Sequence, residues 1–187
     1  MALAVALAVA LTLVACGSST SSPTTARPVL PSAAELTFPE GTVPDVLARD
    51  GRFGTLLGIL ALTESPQGIP GQQTITPVLD HMILPTWQHT LFAPTDASFA
   101  ALPPATLETL LTDAGARLDF VRFHISTRVW ATADLPDSGT IETPGGRVEV
   151  SRDGERVAVG EAVIAEADVT ATNGVVHVLD GLVWVPG

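Results

Sequence analysis

The 187-residue chain has no tyrosine, no lysine and a single cysteine. A lone thiol cannot close an internal disulfide, so packing and hydrogen bonds must hold the fold. Nine arginines face twenty acidic residues, for a formal net charge of −11. A field of that sign repels phosphate backbones and disfavours nucleic-acid binding. Catalytic signatures are missing too. No serine lies in a Gly-x-Ser-x-Gly elbow and no glycine-rich phosphate loop is present; Gly145-Gly146 reads more simply as a turn. With no cysteine pair, no His-x-His and no carboxylate cluster, neither a metal nor another cofactor is expected.

What is present begins with an uncharged run over residues 1–15, MALAVALAVALTLVA, that ends at Cys16. It is shorter than the roughly 18 apolar residues of a membrane span and reads as the core of a secretory signal. Leu13-Val14-Ala15-Cys16 resembles a bacterial lipobox, which implies a lipid on the Cys16 thiol; the alternative is an ordinary free thiol. Such signals open with Lys or Arg, so the true start is expected upstream of Met1. Residues 16–42 are rich in Ser, Thr, Pro and Ala, with few large apolar side chains before Leu36 and Phe38, which predicts a flexible tether. A tether of that length spans roughly 30 Å. The expected location is outside the cytoplasm, with the protein held to the cell envelope by lipid on Cys16.

Residues 43–187 suffice for one domain with one substantial core. Phe53, Leu56, Leu57 and Leu60 recur at helical spacing, Asp45 is placed to cap a first helix, and Asp50-Gly51 divides the stretch into two helices. Residues 64–88 are punctuated by prolines; there Thr76-Pro77 reads as a helix opening and 78–84 as two helical turns. Thr90-Leu91-Phe92-Ala93 reads as a strand ended by Pro94, with Thr95-Asp96 capping a helix that carries Phe99 and Leu102. Two more helices are predicted over 104–111 and 116–124. After Thr127 the apolar period becomes two, and Ile141, Val148, Val150, Val157, Val159, Val163 and Ile164 mark short strands. Two apolar runs, 175–179 and 182–185, with turn dipeptides Asn173-Gly174 and Asp180-Gly181, read as a buried hairpin from Asp168 to Pro186. Helices first and strands later predict an α+β domain.

Three stretches carry a family resemblance. TLFAPTDASFAALP at 90–103 resembles the first box of fasciclin-like (FAS1) domains, and ATNGVVHVLD at 171–180 resembles the second. Between them, Phe123-His124-Ile125 falls where that family has Tyr-His followed by aliphatic residues; Phe123 is the departure. The resemblance covers about residues 43–186. It implies a β-sandwich or wedge of about seven short strands with several helices packed at one end.

Asp96 has the chemistry of a general base in isolation, but its place before a helix favours capping. Phe99, Asn173 and Gly174 read as structural. His124 and His177 read as core histidines. Residues three apart on a strand point to opposite faces, so His177 and Asp180 are not a converging pair unless the turn redirects Asp180. In animal fasciclin domains an "EPDIM" pattern ahead of the second box is assigned to integrin recognition. Glu166, Asp168 and Val169 match it, whereas Ala167 and Thr170 depart. The resemblance thus implies a partner-binding role for those three; alternatively, Asp168 begins the hairpin and Val169 is core. The expected function is non-enzymatic adhesion or envelope interaction with a protein or polysaccharide partner. The alternative is a carrier or sensor of a small apolar ligand such as a carotenoid or lipid, with Val78, Leu79, Met82, Ile83, Leu84 and Trp87 lining an open groove.

Overall fold

The computed structural model describes residues 30–32, 34, 36–65, 76–78 and 82–184. The expected signal, Cys16, much of the expected tether and Leu79 lie outside them. Helices α1 (Val43–Asp50) and α2 (Gly54–Leu62) divide as the sequence predicts, with Gly51 left-handed at φ 80°. A Cβ would strain that conformation, so the glycine makes the break. Asp45 is not the cap of α1. Thr42 takes that position, and Asp45 reaches back from the first turn to accept the Gly41 N–H at 2.7 Å.

The packed unit also begins upstream of the boundary expected at Val43. Leu30, Leu36 and Phe38 lie partly buried against the main core, and Leu30 sits where a Cβ on Gly58 would approach its own Cβ to 2.9 Å. Three well-placed apolar side chains are enough to dock a segment whose average composition is polar.

β1 (Glu64–Ser65) and β2 (Thr76–Pro77) form a small antiparallel ladder. Thr76-Pro77 is therefore a strand, yet the helix expected to follow it does open directly after, since Val78 and Met82 are helical; a two-stranded ladder has an open edge on each side, where a proline without an N–H is tolerated. Next come β3 (His89–Pro94), α3 (Asp96–Ala100), α4 (Pro104–Thr112), α5 (Ala114–His124) and β4 (Ile125–Ser126). The chain continues through β5 (Ser138–Thr143), β6 (Gly146–Asp153), β7 (Arg156–Val159), β8 (Ala162–Ala171) and β9 (Gly174–Leu179). Among the described residues, seven strands make one sheet in the order β4-β3-β9-β8-β7-β6-β5, antiparallel except for the β3–β9 pair. Its two ends meet where Ser126 Oγ donates to the Glu142 carbonyl at 3.4 Å, so the sheet curls into a nearly closed wedge.

Period-two alternation explains why there are two apolar clusters. Leu91 and Ala93 of β3, with Val176 and Val178 of β9, face a main core completed by Leu56, Leu57, Ile59, Phe99 and Phe120. Phe92 and Leu179 of the same strands face a second cluster with Ile141, Val148, Val150, Val157 and Val159. The parallel pair is buried on both faces, as such pairs require.

The hairpin expected across Asp180-Gly181 does not form. β9 already has β3 on one side and β8 on the other, so no edge is left for residues 182–184, which leave the sheet and lay Leu182, Val183 and Trp184 against the clusters. The hairpin that does form joins β8 to β9 through Thr172 and Asn173, and Gly174 is the first strand residue. Gly174 is required for a reason other than a turn: a Cβ there would lie 2.1 Å from the His89 carbonyl oxygen of β3.

Asp96 does cap a helix, though not the one it precedes. Its Oδ2 and Oδ1 accept the Gly54 and Thr55 N–H groups of α2 at 3.1 and 2.7 Å, while Thr95 caps α3 by accepting the Ser98 N–H. Gly174→Ala is expected to cost the upper part of the roughly 1–3 kcal/mol typical of overpacking. Asp96→Ala is expected to cost about 1 kcal/mol. Urea unfolding measures both, and an unchanged midpoint for Gly174→Ala would refute the close-approach role.

Candidate functional site

The ladder between β8 and β9 slips in register at Ile164/Glu166 and again at Glu166/Val169. In the bulge, Asp168 has φ 58°, the single positive value among the described non-glycine residues. Aspartate enters that region more readily than most residues, and here neighbouring groups hold it. The Asp168 N–H donates to His177 Nδ1 at 3.3 Å, so the imidazole proton is on Nε2, which donates to the Trp130 carbonyl at 2.9 Å. Asp168 Oδ1 accepts the Thr132 N–H at 2.8 Å. One histidine therefore ties the bulge to the loop after β4, and the Phe92 ring stacks on it at 5.6 Å.

That loop is braced from below. Thr90 Oγ1 accepts the Trp130 N–H at 2.8 Å and donates to the Arg128 carbonyl at 2.9 Å, and Trp130 Nε1 donates to Ser126 Oγ at 3.1 Å. The Arg128 guanidinium lies over the Trp130 ring, 4.0 Å from its centroid. Arg152 Nη2 donates to the Thr132 carbonyl at 2.7 Å.

The three residues expected to bind a partner have different surroundings. Asp168 and Glu166 are exposed, whereas Val169 is half-buried against the main core. Glu166 pairs with Arg52 at 2.8 Å, and Arg52 also grips Asp50, holding that carboxyl below its ordinary range. Exposed pairs of this kind contribute at most about 1 kcal/mol, so Glu166 exchanges partners at little cost. Neither Arg52 nor the loop was legible as part of this surface, because ion pairs and loop contacts between distant segments leave no periodicity in the sequence.

The residues read as structural each make identifiable bonds. His124 Nε2 accepts the Val183 N–H at 3.0 Å and Nδ1–H donates to the Phe120 carbonyl at 2.7 Å, which secures residues 182–184 as a C-terminal strap. Phe123, without a hydroxyl, stacks on Trp184 at 5.5 Å. Asp180 Oδ1 accepts the Val163 N–H at 2.7 Å. His177 and Asp180 thus serve separate contacts and do not converge. Asn173 is fully buried: Oδ1 accepts the Val43 N–H at 2.9 Å, and Nδ2 donates to the Met82 carbonyl and, at 3.5 Å, to that of Leu84. Phe99 packs in the main core beside Phe120.

Of the residues assigned to a ligand groove, Val78 and Met82 are buried members of the main core. Ile83 and Leu84 are half-buried, and Trp87 packs on that core while stacking on His89 at 4.7 Å. Among the described residues no group of three or more His, Cys, Asp or Glu is arranged to hold a metal ion. No helix among them is long and apolar enough to cross a membrane.

A nearly closed seven-stranded wedge, covered by helices and braced by buried polar side chains, defines an α+β domain that presents a bulged surface at β8. The fasciclin domain model matches residues 72–186, and the chain belongs to the fasciclin family. It is 31% identical over 152 residues to the transforming growth factor-beta-induced protein ig-h3 of Oryctolagus cuniculus, covering 81% of this chain and 20% of that protein. It is 30% identical over 100 residues to the immunogenic protein MPB70 of Mycobacterium bovis, covering 53% of this chain and 51% of the relative. The chain therefore spans a fifth of the first relative and about half of the second. In fold it is similar to a FAS1 domain pair from the insect cell adhesion molecule fasciclin I, with a TM-score of 0.60 and 18% identity over 78% of this chain and 51% of that one.

Burial holds the His124 imidazole down to about 4 from an ordinary 6.5, against the opposing pull of the Phe120 carbonyl. Burial lowers His177 and His89 as well, opposed by the carbonyls of Trp130 and Trp87. Below pH 6.5 the unfolded chain takes up protons that the native histidines refuse, so stability is complete above that value and falls with pH. His124 alone accounts for about 3 kcal/mol of loss on reaching its native value. Urea midpoints measured between about pH 7 and pH 4 are expected to fall steadily, and less steeply in a His124→Gln protein. A flat wild-type profile would contradict the neutral, buried assignment.

Proposed function

We propose that the protein is an exported, envelope-anchored, non-enzymatic binding module that mediates adhesion through its fasciclin domain. The observation that carries this reading is the β8 bulge, where Asp168 is held at φ 58° by His177 and Thr132 beside the exposed Glu166. Bulges re-aim side chains, and an unusual backbone persists where its surroundings over-determine it. Two carboxylates on a braced surface lose little conformational entropy on binding. They suit a partner that offers cationic side chains or a bound cation. Family membership supports the adhesive class, since the structural neighbour comes from an insect cell adhesion molecule. The partner is a protein or polysaccharide of the cell surface.

The anchor belongs to the same reading. Residues 1–15 supply the export signal and Cys16 the lipid attachment, with the chain between Cys16 and Leu30 as the remaining tether. The carrier alternative is weakened because Val78 and Met82 are committed to the main core.

Two measurements test the proposal. Cys16→Ser is expected to move the expressed protein from the detergent phase to the aqueous phase; unchanged partitioning would remove the lipid anchor. The Glu166→Gln, Asp168→Asn double variant keeps the shapes of both side chains and is expected to lower attachment of the purified domain to cell envelopes at least about tenfold, a difference of about 1.4 kcal/mol. Attachment equal to wild type, at an unchanged melting temperature, would sink the assignment of this surface.

A further inference from the structure

Asn173 is the sole asparagine of the chain, and glycine follows it. An Asn-Gly pair is self-reactive because the glycine, lacking a Cβ, lets its amide nitrogen reach the asparagine side chain. The nitrogen gives up its proton and bonds to Cγ, the Cγ–Nδ2 bond breaks, and the departing nitrogen takes up a proton and leaves as ammonia, closing a cyclic imide. Water then opens either imide carbonyl, giving aspartate or isoaspartate.

The fold stands in the way of the first step. The Asn173 carboxamide is fully buried, with Oδ1 held by the Val43 N–H and Nδ2 by the carbonyls of Met82 and Leu84. Its backbone carbonyl accepts the His89 N–H at 3.2 Å. For Cγ to swing onto the following nitrogen, the start of α1 and the segment at 82–84 must both let go. We propose that Asn173 is a deamidation site gated by the fold: closed in the native protein, opened by local unfolding, and irreversible in effect once it reacts.

The irreversibility follows from what faces the product. Aspartate replaces the Nδ2–H donors with an anionic oxygen directed at the Met82 and Leu84 carbonyls, a buried charge among acceptors. Isoaspartate inserts a methylene into the backbone just ahead of Gly174, which is pressed against the His89 carbonyl. Either product prevents β9 from docking as before. A transient opening thereby becomes a permanent loss of the native state, and molecules that have opened accumulate as a marked population.

The sequence makes the readout clean. Asp50-Gly51, Asp153-Gly154 and Asp180-Gly181 form the same imide by losing water that hydrolysis returns, so they release no ammonia. The four glutamines must close a larger ring and react more slowly. The test incubates the full chain, folded or in urea, at mildly alkaline pH and follows intact mass and the peptide carrying residue 173. Conversion in urea is expected to be at least about a hundredfold faster than in the folded protein, which reacts through its rare open state. Asp45→Ala, which frees the Gly41 N–H at the start of α1, is expected to convert faster than wild type while still folded. Urea-converted chains returned to native buffer, and an Asn173→Asp protein made directly, are expected to lack the wild-type urea midpoint. Equal rates in folded and unfolded protein, or converted chains that refold to the wild-type midpoint, would overturn the proposal.

Discussion

The buried carboxamide of Asn173 is the constraint on which the rest of the domain depends. Through it, Val43, Met82 and Leu84, lying 130, 91 and 89 residues away in sequence, meet on one side chain. The Val43 N–H, which has no partner within its own helix, would otherwise be shut away from water unpaired, at a cost of about 1–3 kcal/mol. The Asn173 carbonyl takes the His89 N–H, fixing how β9 lies on β3. Gly174 then lets the two strands close, and that pair separates the two apolar clusters. A residue that looks like part of a turn thus joins the helical layer to the sheet.

The buried histidines extend the same principle. A neutral imidazole donates with one nitrogen and accepts with the other, which suits it to bridge an N–H and a carbonyl from unrelated segments. His124 does this between α5 and the C-terminal strap, and His177 between the β8 bulge and the loop after β4. Both rings connect elements, and the second ties the surface that carries Asp168 to the loop after β4. Fasciclin relatives can share this frame and still present different surfaces, since function resides in the residues a fold displays.

Local regularities of the chain were legible and long-range partnerships were not. The α1–α2 break at Gly51, the strand at Leu91-Phe92-Ala93, the burial of Phe99 and the alternation through Val148, Val150, Val157 and Val159 follow from turn chemistry and periodicity. The two boxes identified the family. The hairpin expected at Asp180-Gly181 was misread because an apolar run does not reveal that both edges of β9 are occupied. Asp96 was recognisable as a cap, but the helix it caps lies about forty residues earlier in the chain. Leu30 was hidden by its polar neighbourhood. At the candidate site, Glu166 and Asp168 are expected from the resemblance, whereas Arg52, Trp130 and Thr132 join the same surface through tertiary contacts alone.

Hydrogen exchange at the Val43 amide tests the role of Asn173 most directly. The first amides of a helix have no partner within it and ordinarily exchange quickly. If Asn173 Oδ1 holds the Val43 N–H as part of the core, that amide is as protected as those of β9 and exchanges through the same opening. Exchange at the rate of an open helix end, with β9 still protected, would contradict the account.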